Sequence, residues 1–426
     1  MRHRKDLHFM GRRWGPRLSS SVAISSIIII ALMLPIILLP PISSSLQLDI
    51  QLGVLAQQNN SDKPDVVITH GITSGDVTNE SAVIWSHANQ QAQINVEYDN
   101  NSKFTNPMNT SAISSETTDF TALALIEGLK PNTAYNYRVW FTGDDTTTAN
   151  DNAIIPNTVE IGTFKTAPNF NDSRPISFIW GGDLGGQSYC RNADSGGYSI
   201  FRSMQSLNSD FFIANGDMIY ADGTCPEDGP ILNDNINNQN STWRNMPGDF
   251  KSINDPSVNW NNISEVRSVY QDHWKFNRND TYFKDFLKNT SMYSQWDDHE
   301  IINDFGSKWP YWNLFNSERE GYPNIVNEGT KAFFNYLPID KNNSSTSHEG
   351  DSNRIYRSFN WGQDLHLLML DARSYRSQNH ISYISYNNKT VLGKDQLEWL
   401  KSGLSNSNAH MESNKQWYTN FYTNCQ

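Results

Sequence analysis

The sequence predicts a β-sandwich followed by an α/β unit, set behind an N-terminal export segment. Three observations carry this. Short alternating strands run from Asp65 to Pro168, the pattern then changes to strands alternating with helices, and acidic residues gather where three apolar strands of the second part stop. At 426 residues the chain is too long for one ordinary core.

The chain opens with Arg2, Arg4, Lys5, Arg12, Arg13 and Arg17, followed by SVAISSIIIIALMLPIILLPPI. A basic flank before an apolar run is an export or anchoring signal, so residues 1–56 are assigned to a signal peptide or N-terminal membrane anchor. The run is just long enough to span a bilayer of about 30 Å, while Val54-Leu55-Ala56 offers a cleavage site, so a cleaved signal and an uncleaved anchor both fit. Arg12-Arg13 also invites a twin-arginine reading, although a plain positive flank matches the following residues better. Gln57 onward is expected outside the cytoplasm, secreted or held at the membrane by this segment. Recurrent Asn-x-Ser/Thr sites, among them Asn79, Asn109, Asn240, Asn262, Asn289 and Asn388, predict a glycosylated surface. Three cysteines do not build a disulfide framework. The net charge of -12, with the basic residues clustered near the start, excludes a nucleic-acid-binding surface.

Residues 65–168 hold SAVIWSHA, AQINVEYD, DFTALALIEGL, AYNYRVWF and VEIGTFKTA, alternating segments parted by Asn, Asp, Gly and Pro turns. The stretch GLKPNTAYNYRVWF sets a proline-initiated turn before an aromatic strand, as fibronectin type III domains do. The unit carries no cluster of His, Cys or acids and is expected to be a spacer or docking domain.

After the linker NFNDSRP the second unit, residues 175–426, begins. ISFIWGG, SGGYSIFRSMQSL and DFFIANG form a strand, an amphipathic helix and a strand, hence a right-handed βαβ crossover with parallel strands. Asp183 and Asp217 stand just past the two strand ends, where ligands bind in open α/β sheets. A polar insertion from Asp222 to about Glu265 reads as a surface loop or an active-site lid. Helices follow in VRSVYQDHWKFNRN and YFKDFLKN, then the strand MYSQWDDHE. A second insertion contains KWPYWNLF; beyond it come a helix ending in FFNYLP, the strand pair RIYRSFNWG and LHLLMLDARSYR, and the helix GKDQLEWLKSGL.

The chemistry is concentrated in GGDLGGQ with Asp183, NGDMIYAD with Asp217 and Tyr220, and QWDDHEIIND with Asp297, Asp298, His299 and Glu300. Converging carboxylates repel unless cations lie between them. Oxygen donors from Asp and Tyr suit Fe(III), Ca2+, Mg2+ or Mn2+ rather than copper or a thiolate-bound metal. Gly-Asp-x-Gly, Gly-Asp-x-x-Tyr and an acid-His-Glu triplet at successive strand ends resemble the calcineurin-like metallophosphoesterases. With LDARSYR and the fibronectin-like unit, the pattern is similar to the alkaline phosphatase D (PhoD)-like family, from Val66 to the end of the chain.

The resemblance implies a four-layer α/β/β/α catalytic domain that hydrolyses phosphate monoesters or diesters with a metal-activated water. It implies two or more metal ions, Fe(III) with Ca2+, leaving Mn2+, Mg2+ and Zn2+ as alternatives. Asp183 would be a terminal ligand, Asp217 a bridge, Tyr220 a phenolate ligand and Asp298 a ligand of the second metal. His299 would not be a ligand but would contact the phosphoryl oxygens or protonate the leaving group, and Glu300 would fix the histidine or cap the following turn. Asp297 and Asn303 would hold an additional metal or orient the ligands, and Arg373 would salt-bridge the surroundings of the site.

Cys190 and Cys225 follow the first two acid motifs, so a disulfide between their loops is expected, with metal ligation as the alternative. His273 and His366 are expected to be structural. The family's remaining histidine ligands lie toward its C-terminus, and the sequence here closes with QWYTNFYTNCQ, with His410 in a polar connection and Cys425 unmatched. The catalytic domain is therefore expected to be incomplete, which fits a partial product, a second chain completing the site, or an inactive relative. Two rivals are a purple acid phosphatase, which has Asn-His-Glu where Asp298-His299-Glu300 stands, and a cell-surface binding protein built on the β-sandwich.

Overall fold

The computed structural model describes residues 65–143, 158–234, 239–306, 321–341, 354–377 and 389–409. The N-terminal segment, KWPYWNLF, His410 and Cys425 lie outside the described residues.

The first unit contains β1 (Ile68–Gly75), β2 (Ala82–Ala88), β3 (Ala92–Asp99), β4 (Met108–Ser114), β5 (Thr121–Ile126), β6 (Ala134–Thr142) and β7 (Glu160–Lys165). Strands β1, β2 and β5 pair antiparallel, and β4-β3-β6-β7 form a second sheet. The alternation in β3 shows why they face each other: Ala92, Ile94, Val96 and Tyr98 are buried, whereas Gln93, Asn95 and Glu97 are half-buried. Their core includes Ile72, Ile84, Tyr135, Tyr137, Val139 and Phe164. The pattern reading finds five of these strands but not β1, interrupted by glycine, or β4, a polar strand at a sheet edge.

The second unit runs β8 (Phe178–Gly181), α1 (Ile200–Gln205), β9 (Phe211–Asn215), β10 (Asp228–Asp234), β11 (Gln239–Arg244), α2 (Ile263–Arg278), α3 (Thr281–Leu287), β12 (Ser291–Gln295), α4 (Tyr322–Tyr336), β13 (Arg357–Trp361), β14 (Leu365–Met369) and α5 (Gly393–Ser405). The expected βαβ unit is present, with β8 and β9 parallel and β12 parallel to β9 on its other side. Strand β9 is apolar on both faces because both are covered. Phe212 and Ala214 join the core beneath the helices, while Phe211 and Ile213 pack with Tyr293, Phe359, Trp361 and Met369 under the β13–β14 hairpin. Helix α5 lies against the far side of that hairpin, where a Cβ on Gly403 would sit 3.1 Å from the Leu368 side chain.

The two units share one sheet. Strand β1 pairs parallel with β12 at Gly75 and Met292, giving the six-strand order β5-β2-β1-β12-β9-β8. Only glycine fits there: a Cβ on Gly75 would lie 2.4 Å from the Pro338 ring and 2.7 Å from the Met292 carbonyl. Trp85 of β2 enters the core beneath the helices and donates its indole N–H to the Asn335 carbonyl of α4 at 2.7 Å. The first unit, expected to be a spacer or docking domain, shares a core with the second. The insertion after Asp222 is likewise not a bare loop. It carries the β10–β11 hairpin, and buried Asn245 accepts from the Cys190 N–H (2.8 Å) and donates to Ser188 O (2.9 Å) and Pro226 O (2.7 Å).

Candidate metal and phosphate site

Parallel order places the ends of β8, β9 and β12 side by side, and the acid motifs follow those ends. The Asp183 N–H donates to Gly216 O (3.2 Å) and the Leu184 N–H to Asp217 O (2.8 Å), joining the first two motifs. The third closes through Gly216, at φ +95°, where a Cβ would come within 2.3 Å of the Asp297 nitrogen. Asp183 and Asp217 are themselves left-handed, with φ of 53° and 51°, a conformation that non-glycine residues hold at a cost and often at functional sites.

Asp217 and Asp298 are buried, and ligand atoms from them and His299 lie within 4.8 Å of one another, the one such group among the described residues. Burial, followed by the charge of Glu300, pushes the Asp217 carboxyl up to about 8. Burial also raises Asp298, against the pull of Arg373. Two carboxylates held this close in a poorly solvated place call for a proton or a cation. Carboxylate oxygen donors fit a hard metal ion.

Asp183 stands apart from this trio. It is exposed and accepts the Tyr220 hydroxyl at 3.1 Å. Burial and the carboxylates of Asp217 and Asp183 raise the Tyr220 phenol above its usual range. Its ring lies against the imidazole of His299, 4.2 Å between centroids.

His299 is held from behind. Its Nδ1 is 2.7 Å from Asp222 Oδ1, and the other oxygen of Asp222 accepts the Asn303 N–H at 2.8 Å. Burial opposes charge on the ring, yet Asp222, with Asp217 and Asp298 nearby, pushes His299 up to about 9. Sequence reasoning missed Asp222, although an acid closing NGDMIYAD is the kind of partner that orients a catalytic histidine. Glu300, expected to fix the histidine or cap the turn, does neither. Wholly buried, it accepts the N–H groups of Met218 and Asp297 at 2.9 Å each, stapling the second motif to the third.

Asp297 and Asn303 border the site. Asp297 is paired with Arg373 Nε, and the Asn303 side chain donates to Asp304 at 3.1 Å. Arg373 reaches further in than expected, with a terminal nitrogen 3.2 Å from Asp298 Oδ1 and another donating to Phe305 O at 3.1 Å. Its turn is set by Asp371 Oδ1, which accepts the N–H groups of Arg373 (3.1 Å) and Ser374 (2.8 Å) and the indole N–H of Trp296 (2.9 Å). Cys190 and Cys225 form the expected disulfide, Cα atoms 5.9 Å apart, which removes the metal-ligand alternative. His273 spans Val269 O and Gly223 O and is structural, as expected.

Parallel strands that collect acids and a histidine at their carboxyl ends, with a β-rich N-terminal unit, define an α/β phosphoesterase domain. The chain belongs to the PhoD-like phosphatase family, whose members are metal-dependent phosphatases: residues 184–418 match that family and residues 54–168 match the PhoD-like phosphatase N-terminal domain. It is 25% identical over 293 residues to alkaline phosphatase D of Bacillus subtilis (strain 168), a match covering 67% of this chain and 42% of that protein. The chain thus spans less than half the length of that curated relative. A solved structure of PhoD shares the fold with a TM-score of 0.61 at 21% identity, covering 80% of this chain and 60% of the other. A purple acid phosphatase from yellow lupin (Lupinus luteus) seeds is more distant, with a TM-score of 0.45 at 13% identity, covering 80% and 48%.

Proposed function

We propose that this protein is an exported, metal-dependent phosphoesterase acting on phosphate monoesters or diesters. The observation that carries the reading is the convergence of Asp217, Asp298 and His299 from two neighbouring parallel strands. Asp217 and Asp298 would hold the metal ions, with Asp183 and Tyr220 beside them, and Fe(III) with Ca2+ is the pair we favour. Bound there, the ions would supply Lewis-acid activation of water and neutralise phosphoryl charge.

The protein's own groups supply the rest. Asp222 on Nδ1 fixes the orientation of His299, which protonates the departing oxygen as a general acid. Arg373 neutralises Asp297 and braces Asp298, so that Asp298 keeps one position. Export is supported by the basic and apolar start of the sequence; among the described residues no helix is long and apolar enough to cross a membrane. The strand order A-B-E and C′-C-F-G, read onto β1-β2-β5 and β4-β3-β6-β7, supports a fibronectin type III-like first unit.

The test is metal analysis of the purified chain together with hydrolysis of p-nitrophenyl phosphate and bis-p-nitrophenyl phosphate, with and without added Fe(III) and Ca2+. We expect bound metal and turnover, both lost in Asp217→Asn. A chain that binds no metal and turns over neither ester refutes the reading.

A further inference from the structure

We propose that Arg376 is the substrate-anion receptor of this site, its guanidinium binding the non-bridging oxygens of the phosphate ester. The proposal rests on the phosphoesterase reading above and adds a residue to it. The turn fixed by Asp371 presents two arginines three positions apart, and its far end is held where the Ser377 N–H donates to Thr390 O (2.7 Å) and the Thr390 N–H to Ser377 Oγ (3.0 Å). Arg373 is fully engaged by Asp297, Asp298 and Phe305 O. Arg376 runs beside the same segment: a Cβ on Gly306 would lie 3.3 Å from its Cδ and 3.6 Å from its Nε. Its charge is within reach of Arg373, Asp297, Asp298 and Asp304.

Arg376 nevertheless has no ion pair among the described residues, and its buried Nε has no hydrogen-bond acceptor. Four other arginines also have a buried, unsatisfied Nε, and each lies over an aromatic ring: Arg174 over Trp361, Arg191 over Phe276, Arg278 over Trp85 and Arg354 over Tyr356, at 5.7, 3.9, 3.7 and 4.7 Å. Among the described residues Arg376 has neither an aromatic ring beneath it nor an ion-paired acid. A half-buried cation without a partner is costly, and a phosphate presents the paired oxygens that a guanidinium fork matches. A structural strut would explain the packing on Gly306 but not the missing acceptor.

The experiment compares the full chain in detergent with Arg376→Gln and Arg376→Lys. Inorganic phosphate binding is measured by titration calorimetry, and KM and kcat for p-nitrophenyl phosphate are measured in parallel. Arg376→Gln is expected to weaken phosphate binding and raise KM by ~10- to 100-fold with a smaller change in kcat, the range for a charged hydrogen bond. Arg376→Lys is expected to keep part of the affinity, because it retains charge but not the fork. Unchanged phosphate affinity in a folded Arg376→Gln protein overturns the proposal, and if turnover persists the phosphoesterase reading survives it. Arg376-dependent phosphate binding without turnover supports the receptor and refutes catalysis by this chain. A wild-type chain that binds no phosphate overturns the receptor directly.

Discussion

Asp222 and Glu300 act on the same short turn from opposite sides. Asp222 sets the orientation of the His299 ring, and Glu300 satisfies two backbone donors that would otherwise be buried without partners. Their removal should therefore have different consequences. Asp222→Asn is expected to lower kcat by ~10- to 100-fold while bound metal, measured by mass spectrometry, stays the same, because the carboxylate lies behind the histidine rather than in the Asp217–Asp298 group. Equal loss of metal and kcat would place Asp222 among the ligands instead. Glu300→Ala should act through the fold, losing about 2–5 kcal/mol as two buried N–H groups lose their acceptor and a cavity opens. Urea unfolding would show this as a lower midpoint with a similar slope. Neither pairing is legible in the sequence, because 77 and 82 positions separate the partners and only the order of β9 and β12 brings them together.

At the scale of elements, the site is a meeting of strand ends, and the connections after those ends are what keep it assembled. Gly216→Ala combines a positive φ with a Cβ driven into the Asp297 backbone. We expect a loss of several kcal/mol, on the order of 2–4, and a chain that binds metal poorly even where it folds. The Cys190–Cys225 bridge closes 35 residues between the first and second motifs. In the chain-entropy model this is worth about 3–4 kcal/mol, so Cys190→Ser with Cys225→Ser should lower the unfolding midpoint under oxidising conditions and leave no further effect of reductant. The strand and helix pattern was legible where apolar periodicity is strong, as in β9, α2 and α4. It failed at β1 and β4, where glycine and polar residues carry strands that the neighbouring strands hold in place.

Across the whole molecule, the seam between the β-rich unit and the helices is built from polar as well as apolar contacts. The Asp76 carboxylate, buried after β1, is clamped by Arg357 Nε at 2.8 Å and a terminal nitrogen at 2.6 Å. Asp119 lies among His87, Lys275 of α2 and the Tyr336 hydroxyl of α4. Burial alone would raise the Asp119 carboxyl, yet these partners hold it down at about 2. Its folded value lies below the unfolded one of about 3.9, so the stability it contributes is present above about pH 4 and lost as pH falls toward 2. Discounted for partial exposure, the effect is about 1–2 kcal/mol. Comparing urea midpoints at pH 5 and pH 2.5 should show a larger drop in the wild type than in Asp119→Asn; equal drops would remove Asp119 from the acid response.

The sequence by itself determined the local grammar: an alternating β unit, apolar strands with acids at their ends, His299 beside those acids, and two cysteines near enough to bridge. These are legible because periodicity and strand ends are properties of adjacent residues. Tertiary structure alone decided that β1 continues the catalytic sheet, that Arg373 neutralises Asp297, that Asp222 rather than Glu300 holds the histidine, and that among the described residues the Arg376 Nε is left without an acceptor. Each of these depends on which strands and turns become neighbours, and that is set by packing both faces of one sheet rather than by any short stretch of chain.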